Sequence, residues 1–224
     1  WILSMDDEKL KEMNTELLKS EKDIFSLYLS SRKIPFSQRN KKLLAIFAVI
    51  SIVLSTGMDF EDLFKKIESL SVLLLATVAT VTGFLIAGYA IFCAVTEPKL
   101  SVLMYLKGTP KYGFSNLKYT HLVFIRVFIY YVFYTVTLTM ISAFSGYKGY
   151  GFEYITQETE CSALIFKIIN LLIFNWIVIY FIFLLLQLGA FIFNIYHSIM
   201  TAISSYPYLD NFDVRVKNDK DEGK

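Results

Sequence analysis

The residues in this chain best suited to chemistry are cations interleaved with aromatic rings. In KLSVLMYLKGTPKYGFSNLKYTH, Lys107, Lys111 and Lys118 alternate with Tyr112, Phe114 and Tyr119. Ammonium groups neutralise phosphate oxygens and aromatic faces stack on bases, so such a mixture can hold a nucleotide or a single strand. A second basic stretch, carrying Arg32, Lys33, Arg39, Lys41 and Lys42, precedes the first apolar run. The two stretches together form a candidate anion site. The plainer reading of the same charges is that they set membrane orientation and touch anionic lipid headgroups.

Nothing comparable supports catalysis. The sequence has 2 Cys and 2 His, and their spacing matches no metal-ligand pattern. There is no Gly-rich phosphate loop, no nucleophile elbow and no pair of carboxylates inside an apolar run. The expectation is a protein that is not an enzyme and carries no cofactor or metal.

The elements that must position the basic stretches are apolar. Of 224 residues, 55% are apolar and 17% aromatic, and the mean hydropathy is +0.49. Charge gathers at the ends and in a few connections, which is how a membrane protein distributes polarity. Four runs, over 43–58, 70–95, 122–144 and 168–196, approach or exceed the ~20 residues a spanning helix needs. The first is the shortest and reaches across only if Lys41 and Lys42 snorkel to the headgroups. Arg126, near the start of the third, is expected to snorkel as well. The fold class is therefore all-α, a polytopic membrane protein with four transmembrane helices. Lys and Arg concentrate before the first run, between the second and third and after the fourth, which places both termini and the middle connection in the cytoplasm. No cleavable signal peptide is expected, and Trp1 in place of Met predicts a short preceding segment.

Four zones follow: a cytoplasmic amphipathic helix over 1–30, a basic hinge over 31–42, the transmembrane domain over 43–196 and a polar cytoplasmic tail over 197–224. In the first zone Leu3, Leu10, Leu17 and Ile24 recur every seven residues, with Met13 and Leu27 at complementary positions. That is a heptad seam, suited to self-association, to a partner helix or to the bilayer surface. After Asp59 as N-cap, Phe60, Leu63, Phe64 and Ile67 suit a short interfacial helix.

The second apolar run is the most informative. In LLLATVATVTGFLIAGYAIFCAV, Ala76, Gly83 and Ala90 recur every seven residues, and Ala79 and Ala87 widen the stripe. Gly88 allows local bending, and Thr77 and Thr80 add hydroxyls. Small residues let helices approach closely in lipid. The stripe fits packing within one molecule, with each Thr bonded back to its own helix, or the axis of an oligomer. Tyr and Thr residues of the third run and Asn170, Asn175, Gln187 and Asn194 of the fourth require partners in lipid, from interhelical hydrogen bonds or a water-filled path.

Four helices, a helical amino terminus and the Gly/Ala-rich stretch GFLIAGYAIFCAVTEP resemble the small membrane effectors of bacterial anti-phage defence, and among them the channel-like effector of Hailong-type systems. The resemblance implies a homo-oligomeric channel, tetrameric by that likeness alone, in the bacterial inner membrane. It further implies control by a cytoplasmic nucleotidyltransferase or its nucleic-acid product, and action by depolarisation. Two other readings stay open: a non-conducting anchor that recruits a cytoplasmic partner through the amino-terminal helix, and a small transporter or lipid-binding protein.

Overall fold

The computed structural model describes residues 21–96, 101, 104, 113–145 and 160–222. Among the described residues the protein is all-helical, with α1 Ile24–Arg32, α2 Gln38–Thr56, α3 Phe60–Val95, α4 Asn116–Ser145 and α5 Glu160–Glu222.

Local chemistry sets the boundaries. Asp23 has extended backbone, and its side chain accepts the Ser26 N–H at 2.6 Å while Ser26 Oγ accepts the Asp23 N–H at 3.2 Å. This reciprocal box starts α1 and breaks the single helix expected over 1–30, because an extended residue cannot continue the i→i−4 ladder. Leu3, Leu10, Met13 and Leu17 lie outside the described residues. Pro35 separates α1 from α2. The expected hinge over 31–42 shrinks to 33–37, since α1 extends through Arg32 and nothing in QRNKK opposes helix.

Gly57 and Asp59 bracket a tight connection into α3. The residues expected as a separate interfacial helix are the first turns of α3. No Gly or Pro interrupts the sequence between Asp59 and Gly83, and Leu63 and Ile67 continue the buried seam of Leu74, Val78, Leu85 and Phe92. Gly113, at φ 79°, takes a left-handed conformation that residues with a Cβ disfavour, and it leads the backbone into α4. α5 runs unbroken for 63 residues. The helix continues past 197, where the polar tail was expected to begin, and runs on through Pro207.

Among the described residues three helices are long and apolar enough to cross a membrane: Glu61–Ala94 of α3, Leu117–Phe144 of α4 and Leu164–Met200 of α5. α2 is not among them, because Arg39, Lys41 and Lys42 occupy its first turns. The apolar part that remains, about 14 residues or roughly 21 Å, falls short of a ~30 Å hydrocarbon layer.

The helices α3, α4 and α5 share one core. Its centre is Val78, Val127, Tyr131, Tyr134, Leu138, Ile177 and Leu184, all essentially inaccessible. Tyrosine hydroxyls buried there need acceptors. Tyr134 donates to the Ile177 carbonyl at 2.6 Å and Tyr131 to the Leu184 carbonyl at 3.2 Å, tying α4 to α5. Rings of Trp176, Tyr180 and Phe183 continue this contact along α5.

α2 packs on α5 with inverted polarity. Its buried residues are Asn40, Ser51 and Ser55, while Val49, Val53 and Leu54 are more than half exposed. Ser51 donates to Asn175 Oδ1 at 2.7 Å, Asn175 Nδ2 donates to Ser55 Oγ at 2.8 Å, and Asn40 reaches the Leu186 carbonyl at 3.4 Å. Asn170, in contrast, bonds back to Phe166 of its own helix. Thr77, Thr80, Thr82, Thr135 and Thr139 do likewise, each donating to the carbonyl four residues earlier.

The amide at Asn175 is thus the main polar clamp on α2. Asn175→Leu is expected to destabilise the α2–α5 contact by about 0.6–1.7 kcal/mol, the range for interhelical bonds in membranes. A thermal melt in detergent measures it, and a double-mutant cycle with Ser51→Ala should recover part of that energy as coupling.

Candidate functional site

Of the candidate cations, Arg32, Lys33 and Lys118 lie at one end of the bundle, here the basic end, where α1 docks on α4. Leu27 of α1 and Ile34 just beyond it pack with Phe114, Leu122 and Val123, and the Tyr28 ring meets Tyr130 edge-on at 6.2 Å. This contact encloses Arg126, whose residue is only 7% exposed. Its Nη1 donates to the Ile34 carbonyl at 2.6 Å and the Ser31 carbonyl at 3.2 Å. The Ser31 carbonyl belongs to the last turn of α1, at the negative pole of its dipole, and the Ile34 carbonyl lies just beyond the C-cap Lys33, so the guanidinium sits at the carboxyl end of α1. Arg126 Nε is buried without a hydrogen-bond partner among the described residues. The expected snorkelling of Arg126 is corrected: α1 covers the path to solvent, and backbone carbonyls replace water as acceptors.

Beside it lies the mixed cation–aromatic cluster. The ammonium groups of Lys33 and Lys118 each stand 5.8 Å from the centre of the Phe114 ring, and the Arg32 guanidinium stands 6.0 Å from that of Tyr28. Lys118 also pairs with Glu21 at 2.8 Å, and Ser30 Oγ donates to the same carboxylate at 2.9 Å. Both partners of this pair are mostly shielded, so its attraction is less screened than that of a surface pair. The Asp23 carboxyl lies below its ordinary range because it accepts the Ser26 N–H. A depressed acid stabilises the fold above its unfolded pKa, and that support fades as pH falls through the folded value.

Two further polar groups lie near this end. Tyr89 Oη of α3 and His121 Nδ1 of α4 are hydrogen-bonded at 2.9 Å. Gln187 of α5 is 2% exposed, and its side-chain oxygen has no hydrogen-bond partner among the described residues.

Of the anion-site candidates, the fold brings Lys33, Phe114 and Lys118 to one ring and keeps Arg32 on a neighbouring one. Arg39, Lys41 and Lys42 sit exposed on the first turns of α2. Lys107, Lys111 and Tyr112 lie outside the described residues. Of the heptad positions, Leu27 turns inward and Ile24 is exposed. Among the described residues nothing packs closely on the small stripe. Ala76, Thr77, Ala79, Thr80, Gly83, Ala87 and Ala90 are exposed or partly so, as is Gly88, and nothing lies within 4 Å of a Cβ built at Gly83 or Gly88. The seam with α4 and α5 runs on the other side of α3, where the large residues are, because these bury more apolar area. Two shallow outer grooves, of about 290 and 340 Å³, are lined by Lys66, Ser69, Leu70, Leu73 and Phe174 and by one face of α2.

Glu21 and the capping role of Arg126 escape sequence reasoning. Arg126 is signalled by its place in an apolar run, but Glu21 looks like any charge on a solvated helix. No family model, curated protein or solved structure matches this protein.

If Arg126 holds α1 in place, Arg126→Met should undock it, with a loss of about 1.5–3 kcal/mol as for hydrogen bonds to charged groups. Trypsin cleavage after Arg32 or Lys33 in the folded protein should rise accordingly. Arg126→Lys is expected to be milder, because a single nitrogen, Nη1, makes both bonds and an ammonium carries three donors. Unchanged protection in both variants would remove Arg126 from this role.

Proposed function

We propose that the protein is an oligomeric, channel-like effector of a bacterial inner membrane, built on four transmembrane helices with both termini in the cytoplasm. The observation that carries the fourth span is the inverted polarity of α2. A helix that buries Asn40, Ser51 and Ser55 and exposes Val49, Val53 and Leu54 is suited to lipid around it rather than water. Lys41 and Lys42 at its start provide the snorkelling that completes a short span.

The channel reading draws on the small face of α3, which is exposed among the described residues and suited to close helix approach in lipid. Control would act at the basic end, where a docked helix, two lysines on one ring and an ion pair offer contacts that an anionic ligand can compete for. The resemblance to Hailong-type effectors makes that ligand a nucleotidyltransferase product, and the output depolarisation. In this reading the protein performs no catalysis.

A second reading, a non-conducting anchor, is favoured by one feature. α1 exposes Ile24 and Phe25 at 71% and 67%, an apolar face open to a cytoplasmic partner. In that case removing residues 1–32 abolishes partner capture and no conductance is seen at any stage.

Reconstitution decides between the two. Purified protein in liposomes is expected to pass ions, and added oligonucleotide to change the flux. Absence of flux with and without oligonucleotide, across a range of voltage and salt, would sink the channel reading.

A further inference from the structure

Among the described residues two buried side-chain polar atoms have no hydrogen-bond partner, Arg126 Nε and Gln187 Oε1. One is a donor and the other an acceptor. Both residues are more than nine-tenths buried, at 7% and 2% exposed. Leaving a buried polar atom alone costs more than a made bond returns, so two complementary ones in a single bundle require an account.

The helix register brings them to one seam. α4 and α5 run antiparallel, with Tyr134 on the Ile177 carbonyl, Tyr131 on the Leu184 carbonyl and Phe124 against Phe191 at 4.7 Å. Tyr130 meets Phe183 at 5.2 Å. One turn from that pair toward the basic end, four residues back on α4 and four residues on along α5, stand Arg126 and Gln187. The link between α1 and α2 crosses the same seam. The Ile34 carbonyl accepts from Arg126, Phe36 packs on Phe183 at 5.6 Å, and Asn40 reaches the Leu186 carbonyl. Gln187 thus lies beside the segment that Arg126 holds, yet takes no part in holding it.

α1 can come away without unfolding the bundle. None of its residues belongs to the core that α3, α4 and α5 share. It is fastened by the Arg126 bonds, the Glu21–Lys118 pair and the small cluster around Leu27 and Ile34. On release, Arg126 loses both carbonyls. The buried side-chain acceptor that stands unused among the described residues is then Gln187 Oε1, on the adjoining helix.

We propose that Arg126 is a two-position latch, which donates to the Ser31 and Ile34 carbonyls while α1 is docked and to the Gln187 side-chain oxygen when α1 is released. The second position answers the guanidinium inside the bundle, so release does not strand a buried cation, and the docked and released forms come closer in free energy. The unpaired donor and acceptor are a contact made in the other state. The latch belongs to a single molecule and stands whether or not the protein passes ions.

Thiol labelling tests it. Ser31 is fully buried, so Ser31→Cys in a Cys93→Ser, Cys161→Ser background offers a maleimide its thiol only after α1 lifts. In full-length protein held in lipid nanodiscs, the labelling rate follows the released population when redocking outpaces labelling. Gln187→Leu and Gln187→Met, apolar and of similar size, are each expected to slow labelling about threefold or more, because the second position is gone. In an Arg126→Met background the same substitutions should leave the rate unchanged, since no guanidinium remains to be shared. Unchanged or faster labelling in either folded Gln187 variant overturns the latch, as does slowing that persists without Arg126. Loss of the fold in both overturns it too, because Gln187 would then be needed while α1 is docked.

Discussion

A guanidinium enclosed among helices must be answered by acceptors, and Arg126 takes them from the backbone that ends α1. The packing of the basic end follows from that. Because the acceptors are carbonyls of Ser31 and Ile34, the segment between α1 and α2 has to pass directly over α4. Pro35 then turns it toward α5, where Asn40 finds the Leu186 carbonyl. Removing the cation would take the Arg126 donor from the Ile34 carbonyl, while the Ser31 carbonyl keeps the Ile34 N–H at 3.1 Å, and removing the carbonyls would leave a buried charge. Each change costs more than the net worth of the bonds themselves. The hydrophobic cluster of Leu27, Ile34, Phe114, Leu122 and Val123 excludes water around the site and strengthens the electrostatics inside it.

The same demand for partners runs through the rest of the bundle. Where a neighbour offers a carbonyl or an amide at the right height, the polar side chain crosses to it, as Tyr131, Tyr134, Ser51 and Asn175 do. Where it faces outward, as Thr77 and Thr80 do, it bonds back to its own helix and contributes nothing between helices. Hydroxyl stripes are thus a poor guide to a water-filled path. The same residue type serves both purposes, and the choice depends on the neighbouring helix.

Much of the architecture was legible because its causes are local. Pro35, Gly57 and Asp59 act on the backbone within a few residues, and the end of α1, both ends of α2 and the start of α3 fall within three residues of one of them. Long apolar runs persist whatever surrounds them, which is why three of the four expected spans are long and apolar enough to cross a membrane. The errors were also local in origin. The heptad pattern ran through Asp23 without allowing for a capping box, and the turn of polar residues after Asp59 hid the continuity of α3.

Residue order, acting over a few turns, was sufficient for the all-helical class, the apolar spans and the clustering of cations near α1, α2 and α4. It could not say which face of α3 is buried, because large and small residues recur with the same period and only the partners decide between them. Nor could it reveal that Lys33 and Lys118 share one ring, that Glu21 is the anion already paired there, or that Arg126 caps a helix more than ninety residues earlier in the sequence. Those are contacts between distant segments, whose energies depend on separation and burial. Tertiary packing alone supplies both.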